Sequence, residues 1–171
     1  MELKMKKHIR IFGAVAGLVM IDQISKIWGL NELKDKNAIS VIPDIFELRY
    51  LENHGAAFGI LQNQQWIFAI ITIMALAVLT WIYFKLPENR RYLPLKGCYV
   101  FLTAGAIGNF IDRMMNGYVI DFFYFKLIDF PIFNVADIYV TISMAVLIVL
   151  LLFYYKDNEL DFLSRKGKDG R

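Results

Sequence analysis

The sequence has little cysteine and little histidine, and these shortages exclude several kinds of site. Its one cysteine, Cys98, cannot form an intramolecular disulfide or a multi-cysteine metal centre. The two histidines, His8 and His54, do not form the His-Glu-x-x-His pattern of zinc hydrolases. The basic residues are grouped beside apolar segments and are not interleaved with aromatic residues, which gives nucleic-acid binding little support. The sequence therefore predicts no metal, no cofactor and no nucleic-acid partner.

Apolar sequence is what the chain has in excess. Of its 171 residues, 57% are hydrophobic, and the mean hydropathy is +0.45, whereas soluble domains are about 45–50% apolar. The excess lies in four blocks and predicts a single integral membrane domain, 1–171, because a span takes about 20 mostly apolar residues. The predicted spans are about 9–29, 66–84, 95–111 and 135–155. They are joined by outer loops at about 30–65 and 112–134, and a cytoplasmic tail follows at 156–171.

Lysine and arginine are unevenly distributed between the connections. Residues 1–10 carry four, the connection between the second and third spans carries four, and the tail carries five. The two longer connections together carry only four. The positive-inside rule then places both termini and the middle connection in the cytoplasm, and the outer loops on the other side.

The outer loops contain patterns that are typical of strands. Residues 45–51 alternate apolar and polar side chains, and residues 41–43 can form a partner edge. Residues 118–133 are rich in aromatic and β-branched side chains, which predicts further extended chain. The predicted fold is a mainly α membrane protein with four transmembrane helices and a small extracytoplasmic β-sheet lying on the outer membrane surface.

Two of five polar clusters allow two interpretations each. In residues 22–26, Asp22 and Lys26 are four residues apart and share a helix face, which fits an ion pair with a lysine that extends to the interface. The alternative is that Asp22 orients part of a site from behind. In residues 53–59, the small residues favour a turn, and the alternative is that Asn53 offers its amide to a substrate backbone.

The third cluster, residues 105–113, combines small and polar side chains. Its glycines allow another helix or a ligand to approach closely. Asn109 and Arg113 are four residues apart, so both can face one cavity. Close helix packing explains the glycines well, but it explains less well why an asparagine and an arginine occur together.

The remaining two clusters each contain an aspartate, Asp121 or Asp137, close to a long apolar run. Ionisable groups at the edge of hydrocarbon are costly and commonly mark function. Taken singly, Asp121 fits a surface loop, and Asp137 fits the first turn of a helix capped by Asn134. Taken together, they share one predicted depth with Asn53, Asn109, Arg113 and Asn134. That shared depth favours one site over coincidence.

Two carboxylates that meet in such a site have a definite chemistry. They cannot both ionise cheaply, so they share one proton. The ionised group can take a proton from water as the water attacks a peptide carbonyl, and the protonated group can donate to the carbonyl oxygen. This aspartic protease scheme needs no metal and no covalent intermediate. The sequence predicts that Asp121 and Asp137 converge, and it leaves open which of them carries the proton.

The motifs closely resemble those of the bacterial lipoprotein signal peptidases, also called signal peptidase II. The resemblance runs from Asp22 to about Tyr139, in the family's order. Its five motifs are Asp-Gln-x-Ser-Lys at 22–26, Asn-x-Gly-Ala-Ala-Phe at 53–58, Gly-Asn-x-x-Asp-Arg at 108–113, Gly-x-Val-x-Asp-Phe at 117–122 and Phe-Asn-x-Ala-Asp at 133–137. It implies an aspartyl endopeptidase whose catalytic dyad is Asp121 and Asp137. Residues implied to bind substrate or support the dyad are Asn53, Gly55, Gly108, Asn109, Arg113 and Asn134. Residues implied to give structural support are Asp22, Lys26 and Asp112.

The resemblance also implies a substrate and a location. The substrate is the signal peptide of a prolipoprotein whose lipobox cysteine carries diacylglycerol, and cleavage falls just before that cysteine. Globomycin-type peptide inhibitors are expected to bind the same site. The implied location is the bacterial cytoplasmic membrane, where the protein contacts membrane lipid and the active site lies near the outer face. Nothing in the sequence demands more than a monomer. One departure is His54, where the family often has a small hydroxyl residue. The aromatic outer segments are expected to act as a lid or platform for the substrate.

Two other functions compete with this interpretation. A small proton-coupled transporter would use Asp22, Asp112 and Asp137 as a relay, but a relay needs groups at mid-membrane, and only Asp22 lies within a predicted span and near its end. A non-catalytic membrane partner protein would use the polar residues to hold helices together.

Overall fold

The computed structural model of the protein describes residues 2–55 and 64–163. Part of the second predicted motif, at 56–58, lies outside the described residues, as does the end of the predicted tail from residue 164. The helices are α1 (Glu2–Leu33), α2 (Gln65–Lys85), α3 (Leu93–Asn116) and α4 (Val135–Val149), and a π-helical turn (Leu150–Tyr154) continues α4. The strands are β1 (Ile39–Ile42), β2 (Phe46–Asn53) and β3 (Val119–Phe125). The predictions of a mainly helical fold and of a small sheet are confirmed.

Three helices in the described part of the chain are long and apolar enough to cross a membrane. They are Met5–Leu33, Gln65–Lys85 and Val135–Tyr154. The remaining helix, α3, has 24 residues and is long enough, but polar residues such as Lys96, Asn109 and Asp112 make it less apolar. The chain is thus a multi-pass membrane protein, and a crossing by α3 stays a prediction.

Helix α3 lies at the centre of the bundle and packs against α1, α2 and α4. Two of its glycines allow this close packing. A Cβ atom on Gly105 would lie 2.6 Å from the backbone oxygen of Ala136 in α4, and one on Gly108 would lie 3.0 Å from the Asp22 carboxyl carbon in α1. Small residues at these two positions therefore bring α1 and α4 against the same segment of α3.

The sheet is antiparallel, in the order β1-β2-β3. The end of β2 pairs with the start of β3, so that Asn53 is opposite Val119 and Leu51 is opposite Asp121. The chain enters β3 directly from α3 through Gly117, whose φ of 76° is left-handed and whose N–H donates to the oxygen of Arg113 over 3.1 Å. This tight helix end places the last polar residues of α3 beside the first residues of β3.

The prediction of extended chain throughout 118–133 is wrong in one part. Strand β3 ends at Phe125, and a 3₁₀ turn follows over Lys126–Ile128. The turn ends at Asp129, whose φ of 47° is left-handed and whose carboxylate accepts a hydrogen bond from the Tyr124 hydroxyl over 2.6 Å. Aspartate tolerates this conformation better than most residues, so a short turn that ends at Asp129 separates the strand from the return towards α4.

Candidate active site

Asp121 lies on β3 and is almost fully buried, with 1% of its surface exposed. Its Oδ2 accepts a hydrogen bond from Asn53 Nδ2 over 2.8 Å, across the β2–β3 pair. Its Oδ1 accepts from Asn134 Nδ2 over 2.6 Å. The carboxyl is therefore held from two sides by amide donors, which is not how a surface-loop aspartate is placed.

Asp137 is the third residue of α4 and takes part in a capping box with Asn134. The Asn134 side-chain oxygen accepts from the backbone N–H of Asp137 over 3.0 Å, and Asp137 Oδ2 accepts from the backbone N–H of Asn134 over 3.1 Å. The other oxygen, Oδ1, accepts from Asn109 Nδ2 over 2.7 Å. The capping interpretation is thus confirmed, and the cap fixes a carboxylate whose second oxygen is free to bond to Asn109.

Two asparagines connect the two aspartates. Asn134 Nδ2 donates to Asp121 and also to the side-chain oxygen of Asn109 over 3.1 Å, and Asn109 in turn donates to Asp137. Both aspartates line one cavity of about 520 Å³. The cavity is also lined by Asn53, Gly55, Asn109 and Arg113. The structure therefore brings together six of the side chains or backbone positions that the sequence assigned to the site.

Behind this cavity lies a buried ion cluster centred on Lys26, which has 1% of its surface exposed. Its Nζ lies 2.9 Å from Asp22 Oδ2 and 3.2 Å from Asp112 Oδ2. The same Nζ donates to the side-chain oxygen of Asn109 over 2.9 Å. The three ammonium protons thus have three acceptors, and Lys26 does not extend towards the interface.

The two carboxylates of this cluster each hold a backbone segment that carries an aspartate of the cavity. Asp22 Oδ1 accepts from the N–H of Ala136, in the first turn of α4, over 2.9 Å. Asp112 Oδ2 accepts from the N–H of Ile120, the residue before Asp121, over 3.0 Å. The cluster therefore bonds to the backbone beside both aspartates, and the role of Asp22 in orienting part of a site stays a prediction.

Sequence reasoning placed Gly108 at the site but did not assign a role to Gln23. Gly108 does not line the cavity; it faces Asp22, and its oxygen accepts from Gln23 Nε2 over 3.2 Å. The same Nε2 lies 3.1 Å from Asp22 Oδ2 and 3.1 Å from Asp112 Oδ1. The sequence did contain a sign of the role of Gln23, because this residue lies in the motif 22–26 beside the candidate Asp22.

Arg113 is the cation of the cavity. Its guanidinium lies over the Phe68 ring, 4.6 Å from the ring centre. Its Nη atoms reach the backbone oxygens of Asn109 and Gly55 only at 3.5 Å, and its buried Nε has no hydrogen-bond partner. The arginine therefore keeps donor capacity for a group that enters the cavity.

The pKa of Asp121 is well above its usual range. Burial, followed by the charge of Asp137, raises the pKa of Asp121 to about 7, because a desolvated carboxylate beside another one is costly. Within the described part of the chain, no group of three or more His, Cys, Asp or Glu side chains could hold a metal ion. The site therefore combines two buried carboxyls, one of which takes up a proton near neutral pH, with a cation and several amides.

One wall of the cavity is formed by the apolar segment 130–133. Its residues are Phe130, Pro131, Ile132 and Phe133. Thr141 and Ile142, one turn further along α4 than Asp137, also line it. Sequence reasoning did not name these α4 residues, although the i,i+4 spacing from Asp137 to Thr141 places both on one helix face. His54, the residue that departs from the family's usual pattern, is exposed and packs against Tyr118, with 5.3 Å between ring centres.

Comparison with known proteins gives consistent results. A family model described as "Signal peptidase (SPase) II" matches residues 14–153. A lipoprotein signal peptidase of Clostridioides difficile is 42% identical over 139 residues, which cover 80% of this chain and 90% of that protein. One of Streptococcus agalactiae is 43% identical over 134 residues, covering 78% of this chain and 86% of the relative.

Two solved structures of bacterial membrane enzymes also match. The first, determined in meso at 2.3 Å resolution, has a TM-score of 0.74 and 34% identity, with 95% of this chain and 94% of the other covered. The second, at 1.9 Å, has a TM-score of 0.73 and 35% identity, with 85% and 94% covered.

Proposed function

The chain belongs to the signal peptidase II family, and we propose that Asp121 and Asp137 are the catalytic dyad with which it cleaves. As a member, it is a peptidase that removes signal peptides from prolipoproteins. The observation that carries the proposal is the hydrogen-bonded chain Asp121–Asn134–Asn109–Asp137 along one cavity. The transporter interpretation has no support, because Asp22 and Asp112 are paired with buried Lys26 and do not form a relay with Asp137.

In this mechanism the dyad enters the reaction with one proton, which we assign to Asp121. The negative charge of Asp137 is stabilised by the N-terminal turn of α4 and by the nearby Arg113. Asp137 takes a proton from water as the water oxygen bonds to the scissile carbonyl carbon, and Asp121 donates its proton to the carbonyl oxygen. The tetrahedral intermediate then collapses: Asp121 takes one hydroxyl proton, Asp137 gives its proton to the departing nitrogen, and the C–N bond breaks, which leaves the dyad with one proton on Asp121. The products are the carboxyl end of the signal peptide and a free amine on the cysteine.

Asn53, Asn109 and Asn134 have a positioning role in this scheme. Each donates an amide N–H to a dyad carboxylate or to a neighbour of one. Arg113, with its unpartnered Nε, and the backbone at Gly55 lie where they can bind the substrate backbone. Gly108 with Asp22, Lys26 and Asp112 supports the dyad from behind.

The proposed membrane arrangement has four spans, with α3 as the fourth. Both termini are cytoplasmic, the sheet lies on the outer surface of the cytoplasmic membrane, and the active site lies near that surface. Exposed apolar residues of the sheet and of the turn after it, including Ile39, Val41, Leu127 and Ile128, support contact with lipid. Cysteine accessibility to an impermeant reagent in whole cells tests the topology: substituted Asp44 is expected to react, and substituted Glu88 is expected to be protected.

The proposed substrate is a prolipoprotein whose lipobox cysteine carries diacylglycerol, processed by a monomer and inhibited by globomycin-type peptides. The apolar wall at 130–133 would cover the substrate as a lid or platform. The test is cleavage of synthetic lipobox peptides with and without the diacylglyceryl group, with product masses determined. We expect a cut immediately before the cysteine of the lipidated peptide only. Cutting elsewhere, or equal cutting of both peptides, would contradict the proposal.

A further inference from the structure

A second, apolar groove of about 370 Å³ lies between α3 and α4, below the active-site cavity. The α3 side contributes Pro94, Gly97 and Phe101, and the α4 side contributes Tyr139 and Val146. Two lining side chains carry a hydroxyl, Tyr139 and Ser143, and that of Ser143 is turned back towards backbone oxygens of α4. The groove therefore offers a ligand a surface that is mostly apolar.

The groove adjoins the active-site cavity. Ile138 and Ile142 line both spaces, and Ile138 follows Asp137 directly in the chain. From Ile138 to Val146 the groove follows α4 for about 12 Å, at about 1.5 Å per residue. A ligand held at the dyad can thus extend an apolar part along α3 and α4 without leaving the protein surface.

Size decides which apolar group fits. An α-helix about 10 Å across would occupy roughly 900 Å³ over this length, more than the whole empty space of about 740 Å³ between α3 and α4, open side included. A single polymethylene chain is far thinner than a helix. The groove is thus too small for the helical apolar part of a signal peptide, and it is suited to one acyl chain.

We infer that this groove is the binding site for one acyl chain of the diacylglyceryl group on the substrate cysteine. The inference rests on the proposed function and adds a location to it. The cysteine follows the scissile bond, so its lipid begins at the dyad, where the groove also begins. The second acyl chain then remains in the bilayer.

The effect of such a groove is positional. Bilayer tails are as apolar as the groove, so transfer of a chain from lipid into it gains little from the hydrophobic effect. Packing of the chain between α3 and α4 instead limits the positions of the cysteine, and so keeps the scissile bond beside the carboxylates. The groove would therefore favour substrates with long acyl chains over those with chains too short to enter it.

Gly97 gives a way to fill the groove without disturbing the fold. It is exposed, and a Cβ atom added there would meet nothing within 4 Å. Gly17, on α1, has the same two properties but does not line the groove. Since glycine is a poor helix former, Gly97→Leu and Gly17→Leu should both fold with a melting temperature at or above that of the parent protein.

The test compares the two variants on lipobox peptides that carry either dipalmitoyl or dibutyryl glyceryl cysteine. Gly97→Leu is expected to lower kcat/KM about tenfold for the dipalmitoyl peptide and to change it less than about twofold for the dibutyryl peptide. Gly17→Leu should leave both values unchanged. Equal losses for the two peptides, or no loss in Gly97→Leu, would overturn the groove assignment.

A labelling experiment tests the same assignment independently of turnover. A dipalmitoyl peptide that carries a photoreactive diazirine near the end of one acyl chain is bound to the Asp121→Asn protein in nanodiscs. The complex is irradiated, and the labelled residues are mapped by mass spectrometry. Labelling should concentrate on Phe101 and Val146. Labelling spread evenly over the exposed faces of α1 and α2 would overturn the inference. A separate result, failure of the parent protein to cleave any lipidated peptide, would overturn the proposed function instead.

Discussion

Asn134 donates to the side-chain oxygen of Asn109 over 3.1 Å, and this bond joins the two halves of the site. On one side Asn134 holds Asp121, and on the other Asn109 holds Asp137. Asn109 is fixed in turn by buried Lys26. The positions of the two aspartates therefore depend on polar groups from α1, from α3 and from the N-cap of α4 at once.

Activity should fall as pH rises through neutrality. The dyad needs one proton, and the pKa of Asp121 is raised to about 7. Below this pH the proton is present on Asp121, and above it both carboxyls are ionised and the acid is lost. We expect log kcat/KM to decline with a slope of about −1 above pH 7. The measurement is a pH profile in detergent, with the folded state checked at each pH. A profile that stays flat or rises from pH 6 to 9 would show that Asp121 is not the required acid.

Lys26→Met should strongly destabilise the protein. It leaves Asp22 and Asp112 as buried carboxylates without a cation, and breaking a buried ion pair in this way costs about 3–5 kcal/mol. Thermal unfolding in detergent measures the loss. The control is Lys34→Met, which removes a half-exposed pair with Glu52 and should matter much less because solvent screens that pair. Similar melting temperatures for the two variants would contradict the supporting role of the Lys26 cluster.

Gly105→Ala should impair activity by moving α4. The added Cβ would lie 2.6 Å from the Ala136 oxygen and 2.7 Å from a methyl of Val140, so α4 must shift away from α3. Overpacking of this kind costs about 1–3 kcal/mol, and the shift separates Asp137 from Asn109. Both kcat/KM and the melting temperature are expected to fall. Gly17→Ala, whose added Cβ meets nothing within 4 Å, serves as the control and should keep the parent activity and a melting temperature at or above that of the parent. Unchanged activity in Gly105→Ala would refute the close-packing argument.

Arg113 should contribute through its charge and its shape. Arg113→Lys keeps the charge but loses the planar group that lies over Phe68, and we expect kcat/KM to fall about tenfold. Arg113→Gln loses the charge as well, and its kcat/KM should fall about a hundredfold or more. Steady-state kinetics on a lipidated peptide distinguish the two, and the charge argument fails if the glutamine variant is as active as the lysine variant.

Much of this arrangement could be predicted from the sequence. Hydropathy located the helices, and period-2 alternation at 45–51 located β2. The polar residues that interrupt apolar runs, such as Asp22, Asn109 and Asp137, pointed to the candidate site because polar and ionisable groups beside hydrocarbon are costly.

Other features depend on tertiary structure and had no local signal. The pairing of Leu51 with Asp121 depends on the β2–β3 register, and the convergence of Asp22 and Asp112 on Lys26 depends on how α1 packs against α3. The turn at 126–129 was predicted as extended chain because its aromatic and β-branched neighbours outweighed the turn-forming Asp129. The acyl-chain groove lies between two helices and leaves no motif in either.

Single-turnover cleavage of a dipalmitoyl lipobox peptide by Asp121→Asn and by Asp137→Asn tests the dyad most directly. Asp44→Asn is the matched control, since Asp44 lies between β1 and β2 and its side chain is 88% exposed. All three proteins must be folded, as judged by melting temperature. We predict that each dyad variant loses about a thousandfold or more in the cleavage rate constant and that Asp44→Asn cleaves at the parent rate. A near-parental rate in either dyad variant would contradict the proposed mechanism.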